Sequence, residues 1–253
     1  MTPRESHEPG LIRPDWEVPP QVAAVVTTRS GGVSQGDFAS LNLADYVGDA
    51  ATAVEENRSI LQQALKLRHG PVWLAQEHGS TLVCADDVSG AVAADASWSA
   101  KPNTVCAILT ADCLPVLFCD RNGTRVAAAH AGWRGLCAGV LENTLANFVQ
   151  AGIAPADILV WLGPAIGPDV YEVDHPVRDA FLKRNAGFSE AFTPVRPGHW
   201  HLNIYTVARR ILSGLGVEAI RGGERCTFTD PQFFSYRRQA RCGRHAALIW
   251  LTE

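Results

Sequence analysis

Strand-length apolar runs, hairpin signals between them and helical periodicity in the intervening segments predict an α+β or mixed α/β fold. The 253 residues contain no internal repeat, no low-complexity stretch and no compositional break. The expected organisation is therefore one domain over residues 21–253, preceded by a polar extension over residues 1–20.

Val22 to Thr27 (VAAVVT) reads as a strand stopped by Ser30-Gly31-Gly32. Asp49 to Leu65 is the clearest helix, acidic at its start, with Val54, Ile60, Leu61 and Leu65 near one face. Pro71 to Leu74 and Thr81 to Cys84 read as strands flanking a tight QEHGS turn. Val105 to Thr110 and Val116 to Cys119 read as buried strands, the second ending at the hairpin signal Asp120-Arg121-Asn122-Gly123. Val126 to Ala129 then returns antiparallel. Gly135 to Ala151 has helical spacing at Leu136, Val140, Leu141, Leu145 and Phe148. Ile158 to Leu162 is a strand, His175 to Asn185 and Ile204 to Leu215 are helices, and Cys226 to Phe228 and His245 to Leu251 close the chain as strands.

Composition excludes several classes of protein. A hydrophobic fraction of 47% is too high for a disordered chain. Net charge is −4, from 22 Lys and Arg against 26 Asp and Glu, which argues against a nucleic-acid binder held by counterion release. No apolar run approaches the roughly 20 residues of a membrane span, and the N-terminus lacks an apolar signal core. Seven cysteines, an odd number, make a poor disulfide framework and suit a reduced, cytoplasmic chain. No GxGxxG or P-loop opens a helix, which argues against nucleotide binding by those devices.

Three segments gather metal-ligating and turn residues at strand ends: Gln76-Glu77-His78-Gly79, Thr110-Ala111-Asp112-Cys113-Leu114-Pro115 and His130-Ala131-Gly132-Trp133-Arg134-Gly135. His78, Cys113 and His130 are a natural three-ligand zinc set, with a fourth position left for water or substrate. Their separation is unlike the close ligand pairs of a zinc finger. The same residues admit a metal-free reading, with Cys113 as a thiolate nucleophile activated by a histidine. The bland alternative makes both histidines hydrogen-bonded turn residues and Cys113 core.

Further segments carry a resemblance. They are Thr28-Arg29-Ser30-Gly31-Gly32-Val33-Ser34, Ser40-Leu41-Asn42-Leu43, Val47-Gly48-Asp49, Asn57-Arg58, QEHG, TADCLPVL, AAHAGWRG, Gly163-Pro164-Ala165-Ile166-Gly167 and Phe234-Ser235-Tyr236-Arg237-Arg238. In this order, from about residue 22 to the C-terminus, they resemble the YfiH-type family, long labelled laccase-domain or polyphenol oxidase and now described as purine nucleoside phosphorylases. The resemblance implies a single catalytic domain of layered sheets flanked by helices, with one zinc site whose His, Cys and His ligands fall on His78, Cys113 and His130. It also implies phosphorolysis of adenosine, inosine, guanosine and methylthioadenosine, together with deamination of adenosine. Some bacterial members are called peptidoglycan editing factors. Ala165 and Cys242 depart from the family pattern, where Cys and Thr are common, and neither is a proposed ligand.

The remaining residues can be matched to that chemistry. Arginine grips phosphate with a planar fork, which nominates Arg29, Arg134 and Arg237. Ser40, Asn42 and Gln76 suit ribose hydroxyls or a base edge. Asp112, adjacent to Cys113, and Glu77, adjacent to His78, are the nearby carboxylates able to carry protons, and Asp112 is the better candidate to orient a ligand histidine. The expected ligands are nucleosides and phosphate, on a monomer or small homo-oligomer. A cysteine-centred amide hydrolase acting on cell-wall precursors is the rival. Copper can substitute for zinc at nitrogen and sulfur ligands. A multicopper polyphenol oxidase, however, needs many His-x-His pairs, and of eight histidines only His199-Trp200-His201 forms one.

Overall fold

Two β-sheets lie face to face because their strands are apolar on both sides. Cys106–Thr110, Leu114–Asp120, Val126–Ala131, Ile158–Leu162 and His245–Leu251 are buried at every position. Such strands read as continuous hydrophobic runs rather than as alternation, which is why they were visible in the sequence. The computed structural model describes residues 8–253.

The first sheet has four antiparallel strands in the order Leu11–Ile12, Val22–Thr27, His245–Leu251, Cys106–Thr110. The second has six: Ala219–Gly222, Ile158–Leu162, Leu114–Asp120, Val126–Ala131, Ala96–Ser99 and Leu82–Cys84. Val26, Ile108 and Ile249 of the first sheet meet Leu117, Val126 and Trp161 of the second in one core. On the outer face of the first sheet, Val25, Leu109 and Leu248 cluster with Leu61 of the helix Ala51–Ala64. On the outer face of the second, Phe118, Ala129 and Val160 pack with the helices Val140–Gln150, His175–Arg184 and Ile204–Gly214. Four layers result: helix, sheet, sheet, helices. This is the single mixed α/β domain expected.

Several elements differ from expectation for local reasons. The polar stretch 1–20 is not wholly outside the sheets, because Leu11–Ile12 pairs with Val26–Thr27; residues 1–7 of it lie outside the described residues. The helix expected over 135–151 is two, Trp133–Ala138 and Val140–Gln150, broken where Gly139 takes φ 93°. The strands on either side of the QEHGS turn are Leu74–Ala75 and Leu82–Cys84; they join different sheets and pair with Val92–Ala93 and Ala96–Ser99, which had no clear signal. Glu172–Asp174, His199–Leu202 and Phe192–Arg196 form a separate three-stranded sheet that also went unseen. Residues 226–228 are not a strand; only an isolated bridge joins Cys226 to Ala165.

Candidate metal centre and its cavity

The candidate ligands converge because the second sheet pairs Leu114 with Ala131 and Pro115 with His130. Cys113, just before one strand, therefore lies beside the end of the other. The Gln76–Ser80 turn brings in His78, whose φ of 61° is unusual for a residue other than glycine. The donor atoms of His78, Cys113 and His130 all lie within 4.8 Å of one another. Among the described residues, they are the one His, Cys, Asp or Glu group close enough to hold a metal ion. The Cys113 sulfur is 3.9 Å from His78 Nε2, and the two imidazoles meet edge to face at 4.7 Å.

The space between the ligands is kept open by Gly132. A Cβ there would come 3.0 Å from Cys113 Sγ and 3.2 Å from His78 Cδ2. A nitrogen–sulfur–nitrogen donor set around such a gap fits a borderline-soft divalent ion such as zinc.

Asp95 organises the site, and sequence reasoning missed it. Its carboxylate is 1% exposed and accepts from His130 Nδ1 at 2.8 Å. It also accepts from the backbone amides of Glu77, His78 and Gly79 at 3.2, 2.9 and 2.6 Å. One acid thus fixes the His78 turn and the His130 ring together. Burial opposes its ionisation, but the His130 bond and the turn amides outweigh burial and hold it below the usual carboxylate range. The carboxylate bonded to His130 is Asp95; that of Asp112 bonds Thr227 and the Arg237 amide instead. The only sequence signal was a lone acid between alanines entering a buried strand.

Burial also works against a Cys113 thiolate. The charge and hydrogen bonding of His130, with help from His78, nevertheless bring the thiol down to about 6. His130 is raised in turn, despite burial, by Cys113 and Asp95. Cys106, by contrast, is pushed up to about 12 by burial, as befits a packing residue.

The centre opens into a cavity of about 440 Å³. Of the residues nominated from sequence, Gln76, Asp112, Arg134 and Arg237 line it. The Gln76 amide is already engaged in two bonds with the Leu109 backbone. Arg134 and Arg237 are exposed, their guanidinium groups over the rings of Trp133 and Tyr171. Arg29, Ser40 and Asn42 do not line it. Arg29 bonds the Ala39 carbonyl and packs over Phe234. Ser40 bonds the backbone of Gly32 and Arg29. Asn42 is fully buried and bonds Ala44, Asp49 and the Arg244 amide. Lining residues not anticipated include Tyr46, Tyr171, Tyr236 and Arg244. Tyr46 and Tyr236 are both 56% exposed; their signal in the sequence was position, beside Val47-Gly48-Asp49 and within the segment from Phe234 to Arg238.

The pair His199 and His201 stands apart. It lines an adjoining open depression of about 750 Å³, where His199 Nδ1 contacts Glu172 Oε1 at 3.1 Å. Among the described residues, no helix is long and apolar enough to cross a membrane.

Taken together, these features describe a two-sheet α/β protein with a three-ligand, metal-capable centre open to a cavity of aromatic and arginine side chains. A family model described as multi-copper polyphenol oxidoreductase laccase matches residues 23–252, and the chain belongs to that family. It is 55% identical over 244 residues to a purine nucleoside phosphorylase of Pseudomonas aeruginosa, covering 96% of this chain and 98% of the relative. It is 52% identical to the purine nucleoside phosphorylase YfiH of Escherichia coli, covering 95% and 98%. Among solved structures, a Neisseria meningitidis protein superposes with a TM-score of 0.91 at 45% identity, covering 96% of this chain and all of that one. YlmD of Geobacillus stearothermophilus gives 0.88 at 31% identity, covering 96% and 97%.

Proposed function

We propose that this protein is a zinc-dependent purine nucleoside phosphorylase, cleaving adenosine, inosine, guanosine and methylthioadenosine with phosphate, and that it also deaminates adenosine. The observation that carries this reading is the pairing of the His78–Cys113–His130 centre with a cavity lined by tyrosine and arginine side chains. Relatives more than 50% identical along nearly their whole length bear the phosphorylase name. Copper could occupy the same donors, yet the His199–His201 pair is separate from this centre, so the gathering of histidines a multicopper oxidase requires finds no support here.

Each part of the reaction has candidates. Tyr46 and Tyr236 offer faces on which a purine can stack. Arg134, Arg237 and Arg244 offer donors to phosphate and to the negative charge that develops as the glycosidic bond breaks. Zinc held by the three ligands would supply a Lewis acid with an open position able to activate water near neutral pH. Asp95 accepts from His130 Nδ1 and so leaves Nε2 as the nitrogen available to a metal.

Purified protein loaded with stoichiometric zinc should release free base from adenosine and inosine only when phosphate is present, and a strong chelator should stop it. No base release under those conditions would overturn the reading. One observation favours a second: Cys113, His130 and Asp95 also form a thiol–imidazole–carboxylate series suited to a cysteine-centred hydrolase. That reading expects activity to survive metal removal and to be abolished by alkylation of Cys113.

A further inference from the structure

Asp112 is one of four described residues other than glycine with positive φ, here 94°, and it immediately precedes a proposed ligand. It is 9% exposed. Its carboxylate reaches across to a distant part of the chain: Oδ1 accepts from the Thr227 hydroxyl at 2.7 Å, and Oδ2 from the Arg237 backbone amide at 2.7 Å. Its carbonyl accepts from the Ile166 amide at 2.9 Å. The Arg237 guanidinium is held from the other side, with Nη1 donating to the Glu172 carbonyl at 3.0 Å and the fork lying over Tyr171. Residues 230–244 form no regular element, so no helix or sheet ladder fixes the Arg237 main chain. The Asp112 carboxylate does.

We infer that Asp112 is a positioning residue, clamping Arg237 so that its guanidinium binds the phosphate beside the metal centre, rather than a carrier of protons. The inference rests on the phosphorolysis reading for the identity of the anion. The clamp makes register explicit: the strand start that carries Cys113 also sets where Arg237 stands, so metal and anion sites are built from one turn. Both carboxylate oxygens are committed to this clamp, one to the Thr227 hydroxyl and the other to the Arg237 amide. A left-handed backbone turns the side chain away from the course of the strand and toward Thr227.

Glycine accepts the backbone conformation at 112 without strain, so Asp112→Gly removes the carboxylate alone. Asp112→Asn can keep both contacts, its amide oxygen accepting from the Arg237 amide and its nitrogen donating to the Thr227 hydroxyl. Binding of inorganic phosphate to the zinc-loaded protein is measured by calorimetry without turnover, alongside KM for phosphate and kcat. Asp112→Gly should weaken phosphate about tenfold, the size of one hydrogen bond to a charged group, with the rise in KM exceeding the fall in kcat. Asp112→Asn should restore most of that loss. In an Arg237→Ala background, Asp112→Gly should add nothing. If Asp112→Gly proves unstable, Thr227→Val, which removes the other partner of the carboxylate, carries the same prediction at smaller size.

The clamp is overturned if Asp112→Asn is as impaired as Asp112→Gly in kcat while phosphate affinity is unchanged, which marks a proton carrier. Multiplying effects of the Asp112 and Arg237 changes would also overturn it. Phosphate binding coupled to Asp112 without any nucleoside cleavage would support the clamp and remove the phosphorolysis reading. Failure of the wild-type protein to bind phosphate would overturn both.

Discussion

Replacing Asp95 with asparagine removes one charge and leaves the shape, and the structure sets the expected cost. Oδ1 accepts from the His78 amide and His130 Nδ1, and Oδ2 from the amides of Glu77 and Gly79. An amide side chain offers one oxygen and one NH2, so in either orientation two donors face another donor. Hydrogen bonds to a charged acceptor are worth about 1.5–3 kcal/mol each, so losing two removes about 3–6 kcal/mol. Relief of a buried charge returns part of this, which leaves a loss of about 3 kcal/mol. For a chain of this size that lowers Tm by roughly 6–12 °C. Both histidine ligands lose their guide, so zinc affinity should fall about 10–100-fold. Urea unfolding and competition with a chromophoric chelator measure the two effects. Stability within about 0.5 kcal/mol of wild type, with zinc affinity changed less than about twofold, would refute the assignment. The pH dependence has a definite sign. Because Asp95 is held below its usual value of 3.8, its contribution is present above that pH and is lost as pH falls through the lower, folded value.

Other perturbations probe the same frame. Gly132→Ala places a methyl 3.0 Å from Cys113 Sγ and 3.2 Å from His78 Cδ2; zinc affinity should drop about tenfold or more while far-ultraviolet circular dichroism stays unchanged, and undiminished affinity would show that the gap is not required. His245 is fully buried with Nδ1 unpartnered, and burial, reinforced by Arg244, pushes it down to about 3. The free energy of urea unfolding should therefore fall as pH drops from about 6.5 toward 3, by about 1.4 kcal/mol per unit, and His245→Gln should flatten that slope. In metal-free protein Cys113 should be alkylated first, with a midpoint near pH 6, while buried Cys106 resists; zinc should protect Cys113, and equal labelling of the two would contradict the site.

Legibility followed burial and bonding capacity. Strands buried on both faces announced themselves as apolar runs. Phe192–Arg196 did not, because four of its five residues are exposed and it contains Pro194. Residues 226–228 looked like a strand, but the Arg238 guanidinium takes the Thr227 and Phe228 carbonyls that a neighbouring strand would otherwise bond. The three candidate ligands, which the fold does bring together, were legible from their donor chemistry. Asp95 was not, since nothing local distinguishes an acid that receives hydrogen bonds from segments 16 and 35 residues away.

The nominated binding residues divide on a physical ground. Asn42, Ser40 and Arg29 all recur in turn segments, where a polar side chain can serve a ligand or the loop itself. In the fold the polar groups of Asn42 and Ser40 meet backbone and neighbouring side chains: Asn42 makes four hydrogen bonds and the adjoining Asn57 four more. Arg29 makes one, but half-buried over Phe234 it does not reach the cavity. A saturated, buried amide has nothing left to offer a ribose. Arg237 makes one side-chain hydrogen bond and stays exposed at the cavity, so most of its fork is uncommitted. Residue type could not separate these cases, because the distinction lies in which hydrogen bonds remain unused, and which side chains reach the cavity, once the chain has folded.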